Sequence, residues 1–378
     1  MRIPDFELER WKAKYVLPGV IDLTETGIPS PLLFKDIFVK DTLDLRLDYA
    51  SIYGNEDLRR EVAELYAGAK KDNILITSST SESNFIGVNM ILNSGDEVLS
   101  VQPAFMQIPG LLEANGVRLR EYLLEEENGF ELDVNRLNEI MSDKVRVIAL
   151  NFPNNPTGRT LTKSQVKGVV EIAKDHDAWI VCDEVYRGIE FEGSFSPSFA
   201  EYYDKAVCSS SLSKVWGAPG LRVGWMIGPK DIIERGSALK EYTTLGGSVL
   251  SEFLAARMLQ KKTRDKLVAR GRKQVQESFT FYSKWMSNHK GVFSWIPPKF
   301  GVISLIKHNL PVSSNEFCMR LLKEKSVGVV PADTCFPKIK NADRYMRLSY
   351  CHPPAIMRDA LSRIDEVIDE LKPKVAAG

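Results

Sequence analysis

Ser211-Leu212-Ser213-Lys214-Val215-Trp216-Gly217-Ala218-Pro219-Gly220-Leu221-Arg222-Val223-Gly224-Trp225 is the stretch on which the reading of this chain turns. One amine follows a pair of serines, glycines and a proline come next, and an arginine stands eight positions beyond the lysine. Such a set suits Schiff-base chemistry. An amine condenses with an aldehyde cofactor, while hydroxyls and a guanidinium hold an anchoring phosphate. Alone, the run reads as a surface lysine in a Gly/Pro loop, because lysines are common and mostly exposed. Two upstream runs change that balance. They are Asn151-Phe152-Pro153-Asn154-Asn155-Pro156-Thr157-Gly158 and Cys182-Asp183-Glu184-Val185-Tyr186, the latter closing the apolar stretch from Ala178 to Val181.

In this order the three runs resemble the aspartate aminotransferase superfamily, the fold-type I, class I/II enzymes that use pyridoxal 5′-phosphate (PLP). The N-P-T-G, D-E-x-Y and S-x-S-K…G-x-R-x-G-W elements are all present, and Asp183 precedes Lys214 by 31 positions, an ordinary spacing for that family. The resemblance extends from the Leu23 region to Arg347. It implies an aminotransferase that moves an amino group from an L-amino acid to a 2-oxo acid through a Lys214 aldimine. Lys214 is then also the proton carrier at the substrate Cα. Asp183 matches the carboxylate that keeps the pyridine nitrogen protonated, and Asn155 and Tyr186 match the donors to the ring's phenolate oxygen. Ser211 and Arg222 match phosphate ligands, with Ser213 assisting; a guanidinium offers a bidentate fork for that role.

Other positions depart from the family or leave a choice. Ser78-Ser79-Thr80-Ser81 stands where the family has a Gly-rich or Ala-rich phosphate loop, with Ser79 at the usual glycine; a loop needing positive φ would be strained there. Phe105 falls where an aromatic stacks on the ring. Tyr49, with Gly54 and Leu58-Arg59 following, resembles the segment whose tyrosine reaches the partner subunit's phosphate, and Tyr53 is the alternative. The resemblance therefore implies a homodimer with shared active sites. Arg347 in Arg347-Leu348-Ser349 matches the arginine that pairs the substrate α-carboxylate, and Arg344 competes for that role. Thr26 stands at a glycine position near the substrate. Glu25 either faces the substrate, favouring a cationic side chain, or is solvated. These departures keep open a second outcome on the same site: a lyase, or an oxidase or cyclase acting on a basic amino acid such as arginine.

Composition bounds the remainder. The 378 residues carry 50 Lys+Arg and 50 Asp+Glu, so no basic excess points to nucleic acid or to an anionic membrane. No apolar run is long enough for a membrane span, and the first residues lack the apolar core of a secretory signal. The five cysteines form no C-x-x-C and only four histidines are present, so neither a disulfide scaffold nor a zinc site is expected, and a cytoplasmic setting is.

From about Asn73 short apolar runs alternate with amphipathic stretches. Strands are expected at Asn73 to Thr77, Glu97 to Val101, Val145 to Asn151, Ala178 to Asp183, Ala206 to Ser211 and Arg222 to Ile227. Helices are expected at Ser81 to Leu92 and, opened by the capping box Thr162 to Gln165, as far as His176. This alternation predicts an α/β fold with a mostly parallel, doubly wound sheet. After Pro229 the pattern is helical to about His289. Strands return at Phe300 to Lys307, Val327 to Pro331 and Tyr345 to Tyr350, and a helix runs from Ala355 to Leu371. The expected division is an N-terminal arm and part of a small domain at 1–44, a large PLP-binding domain at 45–260, and a smaller α+β domain at 261–378.

Overall fold

The computed structural model describes residues 3–28, 32–191 and 193–371. Its strands, in chain order, are β1 (Ile21–Asp22), β2 (Ile74–Thr77), β3 (Glu97–Gln102), β4 (Arg118–Leu123), β5 (Val145–Asn151), β6 (Trp179–Asp183), β7 (Ala206–Ser211), β8 (Gly224–Ile227), β9 (Phe293–Trp295), β10 (Ile303–His308), β11 (Val327–Gly328), β12 (Val330–Pro331) and β13 (Tyr345–Ser349).

Seven of them make one sheet in the order β2-β8-β7-β6-β5-β3-β4. The β4, β3, β5, β6 and β7 neighbours pair in parallel. β8 runs antiparallel to both β7 and β2. The exception follows from the connection. The 212–223 link holds only a short helical turn at Pro219–Leu221. Without a crossover helix, the chain re-enters the sheet from the end it left.

Both faces of this sheet are covered except at the edge strand β4, which is why its inner strands are buried almost throughout and do not alternate. Leu75, Val98, Val147, Ala149, Val181, Val207 and Met226 pack into one core with Ile86, Val88 and Ile91 of the helix Thr80–Ile91 and with Ile232 and Ile233 of Lys230–Lys240. Ile76, Leu99, Ile148, Leu150, Ile180, Cys182 and Trp225 point the other way, onto Val166, Val169 and Val170 of the helix Lys163–Asp175. The period-two alternation of a strand thus splits each run between two cores. The capping box forms as expected: Gln165 N donates to Thr162 Oγ1 at 3.2 Å, and Thr162 N donates to Gln165 Oε1 at 2.9 Å.

A second, antiparallel sheet has the order β12-β13-β10-β9. The N-terminal segment joins this part of the molecule. β1 pairs in parallel with β11, Leu23 N donates to Gly328 O at 2.9 Å, and Ser349 N donates to Leu23 O at 2.8 Å. The stretch Val327 to Pro331, expected as one strand, is two: Val327–Gly328 faces β1, and Val330–Pro331 faces β13. The strand expected from Arg222 begins at Gly224, because Arg222 adopts φ 52° and cannot pair.

Candidate active site

β5, β6 and β7 lie side by side, with Asn151 opposite Asp183 and Asp183 opposite Ser209. Asn155, Asp183 and Lys214 therefore leave the sheet at one edge, the carboxyl ends where ligands gather in doubly wound folds. The Asn151–Gly158 turn is self-braced. Asn154 Oδ1 accepts from Thr157 N at 3.1 Å and from Thr157 Oγ1 at 2.6 Å, and Asn151 Nδ2 donates to Asp183 O at 3.1 Å. Gly158 is required: its φ is +70°, and a Cβ there would stand 2.5 Å from Pro298 Cβ.

Asp183 is buried, 3% exposed. Its Oδ2 accepts from Asn84 Nδ2 at 2.8 Å and its Oδ1 from Val185 N at 3.0 Å. Asn84 is itself fixed by Ser209 Oγ, which donates to its Oδ1 at 2.5 Å. Burial pushes the Asp183 carboxyl up to about 6, against the opposing pull of the Asn84 amide, the Val185 N–H and the nearby Lys214.

A cavity of about 530 Å³ opens beside these strand ends, lined by Lys214 and Phe105 and by the hydroxyl residues Ser79, Thr80, Ser81, Ser211 and Ser213 together with Arg222. The helix Thr80–Ile91 starts in its wall, so free backbone N–H groups and the positive end of the helix dipole add to the hydroxyls. Thr80 Oγ1 is buried with no hydrogen-bond partner among the described residues. Ser79 sits at φ 180°, extended backbone that any residue adopts, so the strain expected of a serine at that position does not arise. The glycine requirement lies instead on the facing strand. A Cβ on Gly224 would stand 2.4 Å from Ser79 C and 2.7 Å from Thr80 N.

The amine and the substrate-side residues form one hydrogen-bonded chain. Lys214 Nζ donates to Thr26 Oγ1 at 2.9 Å, and Tyr186 OH donates to the same oxygen at 2.8 Å. Asn155 Nδ2 donates to Tyr186 OH at 3.5 Å, and Arg347 Nη1 donates to Asn155 Oδ1 at 3.2 Å. Arg347 is 2% exposed; its Nη2 donates to Thr24 O at 2.5 Å, and its Nε is buried without a partner among the described residues. Lys214 Nζ also donates to Glu25 Oε1 at 3.0 Å. Burial works to lower the Lys214 pKa, but Tyr186 and the Glu25 carboxylate hold it above the ordinary value.

Arg344 is occupied elsewhere, its Nη1 donating to Leu310 O at 2.8 Å and to Val312 O at 3.4 Å. Tyr49 does not enter this chain's cavity and is 97% exposed. Tyr53 packs under the Arg59 guanidinium, 5.2 Å from its ring centroid. Phe105 lines the cavity with its ring 5.1 Å from that of Phe6. The sequence reading missed Asn84 and Lys12. The available signal for Asn84 was a polar residue on the helix face shared with Thr80, Gly87 and Ile91, all buried except for traces of Ile91 and Thr80.

Comparison with known proteins identifies the family. The family model described as "Aminotransferase class I and II" matches residues 41–364. Capreomycidine synthase of Streptomyces vinaceus is 27% identical over 372 residues, spanning 96% of this chain and 94% of that one. Aromatic-amino-acid aminotransferase 2 of Thermococcus litoralis is 28% identical over 371 residues, spanning 94% and 93%. The crystal structure of a PLP-dependent aminotransferase from Streptococcus suis 89-1591 superposes with a TM-score of 0.91 at 26% identity, covering 98% of this chain and 99% of that one.

Proposed function

The chain belongs to the aminotransferase class I and II family and is a PLP-dependent aminotransferase, and we propose that Lys214 binds the cofactor and carries the proton at the substrate Cα. The observation that carries this assignment is the hydrogen-bonded chain Lys214–Thr26–Tyr186–Asn155–Arg347 beside a cavity rich in hydroxyls. The residues present suit PLP. Ser79, Thr80, Ser211, Ser213 and Arg222 would hold its phosphate, and the buried Thr80 hydroxyl, without a partner among the described residues, is a donor in want of an acceptor. Asp183, buried among neutral partners, favours a cation such as a protonated ring nitrogen. Asn155 and Tyr186 would meet the phenolate oxygen, and Phe105 would cover the ring.

When bound, PLP supplies an electron sink for the pair left on Cα as its C–H bond breaks. Arg347 binds the substrate carboxylate through two parallel N–H donors, orienting the Cα–H bond toward Lys214. The Lys214 amine would take that proton and later return it, and Thr26 Oγ1, which accepts from Lys214 Nζ, would keep the amine in place. Asp183 would keep the ring nitrogen of PLP protonated. Borohydride treatment of the yellow holoenzyme tests the assignment: cofactor should be fixed at Lys214 alone, and fixation at another lysine would overturn it.

A homodimer with shared sites is supported by exposed apolar side chains on two adjoining segments. Leu43, Leu47 and Tyr49 lie on one, Tyr242 and Leu245 on the other, and the segments adjoin where a Cβ on Gly246 would stand 2.9 Å from the Ala50 carbonyl oxygen. Such a surface suits a second copy, with Tyr49 delivered to the partner's phosphate site. A cytoplasmic location is supported by five buried, free thiols. The similarity to a synthase, together with Glu25 beside Lys214, favours one second reading: elimination, oxidation or cyclisation of a basic amino acid on the same site. Ammonia release or oxygen uptake without any oxo acid would select it; turnover dependent on 2-oxoglutarate selects transamination.

A further inference from the structure

The helix Glu7–Tyr15 carries none of the motifs that mark the site, yet it sends Lys12 to it. Lys12 Nζ donates to Glu25 Oε2 at 3.1 Å, while Oε1 of the same carboxylate accepts from Lys214 Nζ at 3.0 Å. The Thr26 backbone N–H donates to Oε1 at 3.0 Å and fixes the carboxylate's orientation. One anion therefore stands between two ammonium groups, and only one of them is the amine assigned to the cofactor.

We propose that Glu25 and Lys12 are opposed positioning residues that together set the proton affinity of the Lys214 nitrogen, Glu25 raising it and Lys12 restraining it. The proposal rests on the assignment of Lys214 as the cofactor-binding amine. A carboxylate at 3.0 Å stabilises the protonated nitrogen by direct Coulomb attraction. Unopposed, it would hold the proton too firmly for a group that must later act as a base near neutral pH. Lys12 binds the other oxygen and offsets part of that attraction. Both lysines act on this one carboxylate: burial works against ionising Glu25, yet Lys214 and Lys12 keep it far below the usual range.

Other charged or titratable groups face the same three side chains. Tyr186 and Arg347 face Lys214, and Asp183 lies near it. His352 and Arg347 face Glu25, and Glu9 lies 3.7 Å from Lys12. All of them remain in the variants below, so differences between variants isolate the pair. The Glu25 side chain is 51% exposed. Solvent screening therefore limits the effect to roughly one pK unit for Glu25 and about half a unit for the more distant Lys12.

The test is a spectrophotometric pH titration of the PLP-loaded protein from about pH 5 to about pH 10, a span that brackets the ordinary histidine and α-amino values. The visible band of the bound cofactor changes when the Lys214 nitrogen loses its proton, and the midpoint is read without any turnover. Glu25→Gln should lower the midpoint by about one unit, and Lys12→Met should raise it by about half a unit. The double variant should behave as Glu25→Gln, because Lys12 has lost the anion that holds it near. The shift from Lys12→Met should also shrink as salt is raised. Lys12→Met leaving the midpoint in place or lowering it, or Glu25→Gln raising it, overturns the proposal. A wild-type protein that shows no cofactor band at all overturns the Lys214 assignment instead, so the two failures are distinct. A merely structural role for either residue would not give shifts of opposite sign.

Discussion

Replacing Asp183 with asparagine should move the stability of the cofactor-free protein and its affinity for PLP in opposite directions. The folded carboxyl titrates at about 6, above the ordinary 3.8, because it is buried among neutral partners. Between those values the folded form binds more protons than the unfolded chain, so stability falls as pH rises. At neutral pH the accumulated penalty is about two pK units, or about 3 kcal/mol. Asparagine removes the charge but gives up one of the two hydrogen bonds, the one from Asn84 Nδ2, at about 1 kcal/mol. The variant should therefore gain about 2 kcal/mol near pH 7, and below about pH 4, where the charge penalty is gone, it should be about 1 kcal/mol less stable than wild type. With PLP the sign reverses. A hydrogen bond between a carboxylate and a charged ring nitrogen is worth about 1.5–3 kcal/mol, so affinity should drop by about 10-fold to 100-fold. Urea unfolding of the cofactor-free proteins at both pH values, followed by absorbance titration with PLP, measures the two effects. A variant that is less stable than wild type near neutrality, or one that keeps its PLP affinity, refutes the reasoning.

Arg347→Lys should lower kcat/KM for every amino-acid substrate by roughly 10-fold to 100-fold and leave PLP affinity unchanged, because an ammonium cannot reproduce two parallel donors. Arg344→Lys should leave those kinetics unaltered, and steady-state assays over several donors separate the two arginines. Mixing Lys214→Ala subunits with Tyr49→Phe subunits should restore part of the activity if Tyr49 serves the partner's site; absence of rescue in verified heterodimers assigns it elsewhere. Gly224→Ala should cost about 1–3 kcal/mol and weaken PLP more than unphosphorylated pyridoxal, since its Cβ would push into the Ser79–Thr80 backbone. Equal weakening of both ligands would place the damage outside the phosphate site.

The large sheet was legible wherever a strand is buried on both faces. β5 is buried except at Arg146 and β7 is buried throughout, and their ends, Val145 to Asn151 and Ala206 to Ser211, fall where the sequence pattern puts them. β4, Arg118–Leu123, was missed because it is the edge strand and carries mostly exposed or half-buried side chains, so no apolar run marks it. The short strand Phe293–Trp295 and the split of Val327 to Pro331 were illegible for another reason. Strands of two or three residues are too short to show a pattern and are defined by the partner they find: β10 for Phe293–Trp295, β13 for Val330–Pro331, and for Val327–Gly328 the strand β1, about 300 residues away.

At the site, the motifs put forward candidate residues that the fold brings to one end of the sheet, but the contacts among them were not legible. Lys214 meets Glu25 across 189 positions and Arg347 meets Thr24 across 323. Such pairs depend on β1 docking against β11 and on Leu23 being bonded to both Gly328 and Ser349. That docking also gives the departure at Thr26 a physical meaning. A hydroxyl oxygen accepts two hydrogen bonds, and Thr26 Oγ1 takes one from the Lys214 amine and one from the Tyr186 phenol. A glycine there would leave both donors to find other acceptors. With threonine, the amine is tied through Tyr186 and Asn155 to Arg347, so the groups proposed to hold the cofactor and the group proposed to hold the substrate share one hydrogen-bonded path.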